Sequence, residues 1–253
     1  MSGSLHPFDQ APALLGGPIL LTLIGAVLAG ILAMIFAIPT AFARLSKVTL
    51  IRSIATFYVE TIRGTPLLLQ LIVWYYGVRI LLLYLFNLNV DTAAYNVLTA
   101  FNSNSLFPRD TGVSNFVFAI FGLAFNYGAY IAEVIRGGIE SVDHGQIEAA
   151  HTLGLSRFQT ARHVILPQAL RIVAPPLTNN YITLIQDTAF FQILGVVELS
   201  LRTQQLTLST SNSLLRWEWY AVELAVYFVI CYSLSLVSRR FEARTAHTLA
   251  GAH

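Results

Sequence analysis

No residue from Leu14 to Ala43 carries a charge, and the first ionised side chain after that block is Arg44. A helix rises about 1.5 Å per residue, so this block is long enough to cross a hydrocarbon core of about 30 Å. Similar apolar blocks recur down the chain. The composition agrees: 55% of residues are hydrophobic and 11% charged, with mean hydropathy +0.64, where a soluble domain carries about 25% charged residues. These features exclude a disordered chain and argue against a soluble globular one. The expected fold class is all-α, a polytopic membrane protein.

Five spans are expected within one transmembrane domain, residues 1–253: 14–43, 53–86, 115–135, 164–197 and 217–237. The second carries Glu60, Arg63 and Arg79, so its middle, Pro66 to Gly77, is its most membrane-like part. The fourth is interrupted by Pro167, Pro175 and Pro176. The polar stretch Asn87 to Ser114 reads as a loop with a short helix around Thr92 to Ala100. The first block lacks a positive segment before it and is too long for a cleaved signal peptide. No internal repeat is seen.

Five spans put the termini on opposite sides. With the amino terminus outside, the cytoplasmic face holds 11 basic residues (Arg44, Lys47, Arg52, Arg63, Arg136, Arg157, Arg162, Arg171, Arg239, Arg240, Arg244) and the outer face 4 (Arg79, Arg109, Arg202, Arg216). The excess of Lys and Arg on cytoplasmic loops then sets the carboxyl terminus inside. Trp74, Trp217 and Trp219 are placed near the outer interface.

Several chemistries are excluded. Lys47 is the only lysine, and it is preceded by Arg44-Leu45-Ser46 and followed by Val48. A P-loop needs glycines before a Lys that is followed by Ser or Thr, so an ATP-driven process must draw on another polypeptide. Cys231 is single and apolar in context. His6, His144, His151, His163, His247 and His253 form no HExxH pair, there is no CxxC, and no metal site is expected. A net charge of +2, with arginines at helix ends, gives no basic face for nucleic acid.

The segment 139–166 carries the clearest local design. Asp143 is placed to cap a short helix, Gly145 to Leu153, with Gln146 at the reciprocal position of a capping box. Ile147, Ala150 and Leu153 fall on one face, and Glu148 and His151 fall elsewhere. Gly154 suits the left-handed position that ends a helix. Ser156 caps the next helix, with Gln159 three residues on. A short helix lying at the cytoplasmic face suits docking into a partner's groove.

The pattern Glu148-Ala149-Ala150, Gly154, Ile165-Leu166-Pro167 resembles the EAA signature of ABC-importer permeases of the type I fold. Further blocks resemble the polar amino-acid branch: Tyr58-Val59-Glu60, Ile62-Arg63-Gly64-Thr65-Pro66-Leu67-Leu68, Tyr127-Gly128-Ala129-Tyr130 with Glu133, Arg136-Gly137-Gly138-Ile139, Gly145-Gln146-Ile147-Glu148, Gln168-Ala169 and Asp187-Thr188. The likeness runs from about Thr22 to Phe241. It implies a permease dimer, identical or paired with a homologue, in the bacterial-type inner membrane. It also implies cytoplasmic ABC ATPase subunits docked on the EAA helix and an extracytoplasmic amino-acid binding protein. ATP and Mg lie on the partner ATPase, and this chain binds no cofactor and is no enzyme. In that scheme Gln146, Glu148, Ala149, Ala150, Gly154 and Ser156 couple to the ATPase. One departure stands out: Gln186-Asp187-Thr188-Ala189-Phe190 replaces the usual Lys-Asp-Thr-Ser-Leu, which removes a cation beside Asp187.

Charged and polar residues within spans mark function or internal pairing. Glu60 and Arg63 are three apart, as are Glu133 and Arg136, and each pair can bridge on one helix face. Asn179, Thr183 and Asp187 form a stripe at four-residue spacing, flanked by Asn180 and Gln186. Such a stripe is either helix–helix glue or a substrate path. On the second reading Asp187 holds an α-ammonium and Arg63 or a helix amino end a carboxylate, with Gln70, Asn126 and Gln192 as further candidates. Gly25, Gly30, Gly122 and Gly128 permit close helix packing. A stand-alone secondary transporter or channel would be expected to show repeats and paired broken helices. An inert membrane anchor would have no reason to carry charges within its spans.

Overall fold

The computed structural model describes residues 7–87 and 113–250, and the helix expected around Thr92 to Ala100 lies outside them. Among the described residues there is no strand. Helix α1 is Pro7–Arg44 and α2 is Thr49–Arg63. Helix α3 is Leu67–Phe86, and α4 is Val113–Glu140. Helix α5 is His144–Thr152, α6 is Arg157–Leu194, α7 is Leu199–Ser209 and α8 is Ser213–Ala250.

The pairing of α1 with α4 organises the bundle. Ala26, Ala29, Ala33, Ala37 and Ala41 are buried along one face of α1, while Val27, Leu28, Ile31, Ile35 and Ile38 stay exposed on the other. Small residues let backbones approach, and the exposed aliphatic face suits lipid. A Cβ on Gly128 of α4 would lie 2.8 Å from the Phe36 Cβ, and one on Gly30 would lie 2.7 Å from the Tyr181 ring. Those separations are too short for any side chain, so both glycines are required by packing. Gly25 and Gly122 meet neighbours almost as closely.

Where one span was expected over 53–86, the chain forms two helices. Pro66 has no N–H and pushes the preceding residue out of helical geometry. The turn at Gly64-Thr65-Pro66 separates α2 from α3. Gln70 fastens it: its amide donates to the carbonyls of Ile62 (2.8 Å) and Thr65 (3.1 Å) and to the Thr65 hydroxyl (2.7 Å). Helix α2 is amphipathic. It buries Ala55, Val59 and Ile62 and keeps Arg52, Glu60 and Arg63 at the surface. Only Leu67–Phe86 is long and apolar enough to cross.

Proline does not interrupt the fourth span as the sequence suggested. Helix α6 runs through Pro175 and Pro176, with a π-helical stretch at Ala161–Ile165 and a tighter 3₁₀ stretch at Thr188–Leu194. It then bends by 55° into α7, which occupies part of the expected connector. Among the described residues, four helices are long and apolar enough to span alone, or five when the bent α6–α7 pair counts as one. Of the two tryptophans placed at the outer interface on α8, Trp217 is exposed. Trp219 is buried and donates to the Thr210 hydroxyl at 3.2 Å.

Candidate functional site

Helices α3, α4 and α6 enclose a cavity of about 210 Å³ lined by Leu67, Asn126, Tyr127, Tyr130, Asn180, Thr183 and Asp187. Among the described lining residues Asp187 is the one carboxylate, and the other polar groups are neutral amides and hydroxyls. The Tyr127 hydroxyl donates to Asp187 Oδ2 at 2.7 Å. An aspartate at the centre of a span costs about 3 kcal/mol on insertion scales, and one hydrogen bond to a charged group returns about 1.5–3 kcal/mol. That bond holds Oδ2, and no other hydrogen bond to the carboxylate is described.

The expected stripe divides on contact. Thr183 and Asp187 face the cavity, joined by Asn180. Asn179 is exposed and off the lining. Gln186 is also off the lining. The reason is angular: residues four apart drift by about 40° per step on a 3.6-residue helix, so a stripe of three spans too wide an arc for one small cavity. Asn126 lines the wall and donates to Gln70 Oε1 at 2.9 Å. Gln70 itself is buried behind that wall and bound to the α2–α3 turn.

The remaining charged candidates gather toward the carboxyl ends of α1, α2 and α4. Arg44 pairs with Glu133, and its other nitrogen lies 3.5 Å from Glu60. Arg136 pairs with Glu133 at 2.6 Å and with Glu140. The bridge expected between Glu133 and Arg136 is present. The one expected between Glu60 and Arg63 is not, because Arg44 reaches Glu60 from α1. The Arg63 guanidinium instead sits 5.7 Å from the centroid of the Tyr130 ring, within range of a cation–π contact. It thus lies beside the cavity without lining it. On α2, outside the spans, the Tyr58 hydroxyl donates to the Phe125 carbonyl at 2.6 Å, and burial raises its pKa, so it stays neutral.

Helix α5 hangs below the bundle. Asp143 caps it by accepting the Gly145 N–H at 2.6 Å. The reciprocal bond expected from Gln146 is not made; its oxygen accepts instead from the Gln168 amide of α6 at 2.5 Å. Gly154 has φ +82°. Its N–H bonds the His151 carbonyl, and the Leu155 N–H bonds the Ala150 carbonyl, closing a Schellman turn. Ser156 and Gln159 form a complete capping box that starts α6. Ala150 is buried, while Glu148 and Ala149 are exposed. Leu153, expected on the buried face, is 80% exposed, and Phe158 is 72% exposed. The helix ends before Leu153, so that side chain leaves the apolar face and joins Phe158 at the corner.

In the sequence reading Tyr127 and Tyr130 enter only within a family block, Asn180 only beside the stripe, and Phe158 not at all. Tyr127 and Tyr130 are three apart, which puts both on one face of α4 beside Asn126. That spacing was available as a signal.

Residues 26–247 match the family described as the binding-protein-dependent transport system inner membrane component. The chain belongs to that family. It is the membrane permease of an ABC import system, in which ATP hydrolysis lies in a separate subunit. Over 246 residues it is 36% identical to the L-cystine transport system permease protein TcyB of Bacillus subtilis (strain 168), covering 96% of this chain and 92% of that one. It is 34% identical to the glutamine transport system permease protein GlnP of Escherichia coli (strain K12), covering 88% and 86%. A crystal structure of an amino acid ABC transporter with histidines superposes with TM-score 0.75 at 30% identity, covering 94% of this permease and 96% of that chain. An inward-facing structure of the MetNI methionine ABC transporter, at TM-score 0.63 and 18% identity, shares the fold.

Proposed function

We propose that the permease imports a polar amino acid as one of two permease subunits lining the pathway. Its amino terminus lies outside and its carboxyl terminus in the cytoplasm. An external binding protein delivers the substrate, and cytoplasmic ATPase subunits carrying ATP and Mg dock on α5. Gln146, Glu148, Ala149, Ala150, Gly154 and Ser156 build that contact. Similarity to cystine and glutamine permeases supports an amino-acid substrate.

One observation carries the mechanism. Helix α5 leaves Glu148, Ala149 and Leu153 exposed, and it joins α6, the same helix that brings Thr183 and Asp187 to the cavity. Motion imposed on α5 by ATPase closure is delivered to the cavity through a continuous helix. The bundle then alternates between inward- and outward-facing states, with ATP and the loaded binding protein biasing one equilibrium. In the cavity Asp187 takes the α-ammonium, and the Asn180 amide offers N–H to the carboxylate. Arg63, behind Tyr130, makes the carboxylate end electropositive. The charges at Glu60, Glu133 and Arg136 hold the inner ends of the helices together.

The test is uptake of the twenty common amino acids and L-cystine, each radiolabelled, by proteoliposomes holding the complete complex. Wild type is expected to accumulate at least one of them only with ATP inside. Glu148→Arg is expected to lose uptake while inserting normally. Normal uptake by that variant would contradict the docking role of α5.

A further inference from the structure

Glu198, at the corner between α6 and α7, is 0% exposed. Its Oε1 accepts the N–H groups of Ser200 (2.9 Å) and Leu201 (3.1 Å), which caps α7. Its Oε2 lies 3.2 Å from the Thr22 hydroxyl of α1, whose one proton it shares with the Pro18 carbonyl at 3.1 Å, and 3.5 Å from the Tyr227 hydroxyl of α8. Thr22 in turn accepts the Leu199 N–H at 3.2 Å, and Ser200 donates to Glu223 of α8 at 2.5 Å. On the other side of the corner, Asn115 of α4 donates to the Leu194 carbonyl at 2.7 Å.

Capping alone does not require this residue. Ser, Thr, Asp and Asn are the preferred caps, and each supplies one acceptor close to the backbone. The longer glutamate lets one oxygen cap α7 while the other reaches α1 and α8. One side chain therefore fastens three helices where the chain bends. That corner also closes the 3₁₀ stretch Thr188–Leu194, which begins one residue after Asp187. The path from Glu198 to the cavity is thus short: it runs back along the 3₁₀ stretch from Leu194 to Thr188, which follows Asp187 directly.

We propose that Glu198 is a positioning residue for transport, locking the α6–α7 corner against α1 and α8 so that Asp187 stays aimed into the cavity. This rests on the cavity being the substrate path. The readout is the number of amino acids carried per ATP hydrolysed, measured with radiolabelled L-glutamine and L-cystine on the complete complex in proteoliposomes. Glu198→Gln keeps one oxygen for the α7 cap and loses the acceptor for Thr22 and Tyr227. Tyr227→Phe removes only the hydroxyl.

Both variants are expected to lower that ratio three- to tenfold at unchanged complex yield. Asp187→Asn is expected to lower it at least as far, and adding Glu198→Gln to Asp187→Asn is expected to lower it no further. Non-additivity of that kind marks residues acting through one another. An unchanged ratio, with only complex yield reduced, would make Glu198 purely structural and overturn the proposal. Full additivity with Asp187→Asn would also overturn it. A neutral Asp187→Asn would sink the reading of the cavity itself, and the proposal with it. An impaired Asp187→Asn beside neutral Glu198→Gln and Tyr227→Phe would overturn the proposal alone.

Discussion

Asp187 faces a cavity whose other polar groups are neutral, and its only described hydrogen bond comes from Tyr127. Its charge is best explained by a positively charged group that visits. Asp187→Asn is therefore expected to cut uptake at least tenfold with ATPase activity within about twofold of wild type, a loss of about 1.4 kcal/mol or more. Parallel uptake and ATPase assays check this. Arg44 is the opposite case, a cation whose partners are fixed. Removing it leaves Glu133 and Glu60 without their α1 partner. Arg44→Ala is expected to destabilise the purified permease by about 1–3 kcal/mol, nearly all of it through the partly buried Glu133, since the contact with the exposed Glu60 is screened by solvent. Arg44→Ala/Glu133→Ala is expected to recover part of the loss, and thermal unfolding in detergent measures both. These residues differ in how far the sequence disclosed them. Asp187 was legible because an acid deep in an apolar block is costly. The Arg44–Glu60 contact was not, because Glu60 and Arg63 offer a local pair that a helix from elsewhere displaces. Glu198 was hidden for a third reason: it falls just outside the expected fourth span, where an acid costs nothing, and its burial arises only when α1 and α8 close over it.

Among the elements, the α5 corner was the most legible. Asp143, Gly154, Ser156 and Gln159 carry the capping chemistry in their own side chains and backbone, and the structure uses each of them as that chemistry dictates. What sequence missed there is tertiary. Gln146 finds Gln168 on a neighbouring helix, and Leu153 escapes the buried face because the helix stops short of it. The α2–α3 break was less legible, since hydropathy alone runs on across Gly64 to Pro66. Gln70, which fixes that turn, looks from sequence like a pathway residue. Gly154 is at φ +82°, where a β-branched residue costs about 1–3 kcal/mol. Gly154→Val is expected to insert normally and to retain less than a third of the wild-type ATPase on affinity purification. Leu153→Asp with Phe158→Asp is expected to do the same without any strain, since both side chains are exposed. Gel densitometry of the purified complexes reads both.

At the scale of the whole molecule, the spans were legible from the apolar blocks because lipid leaves few alternatives to a helix. Their packing was not, since it depends on which small residues meet, as at Gly128 against Phe36. The positive charge bias predicts sidedness, and two exposed leucines, Leu153 and Leu208, serve as probes of it. In a Cys231→Ala background, Leu208→Cys on α7 is expected to react with a membrane-impermeant maleimide in intact cells. Leu153→Cys is expected to react only after permeabilisation. The central claim is that this bundle is a transport subunit driven through α5 by a separate ATPase. Its most direct test is purification of the chain from its native membrane in mild detergent, with subunit ratios by mass spectrometry, for wild type and Glu148→Arg side by side. The account predicts a P-loop ATPase in equal amount with wild type and its loss from the variant. Recovery of wild type without any ATPase, under conditions that keep other membrane complexes whole, would contradict it.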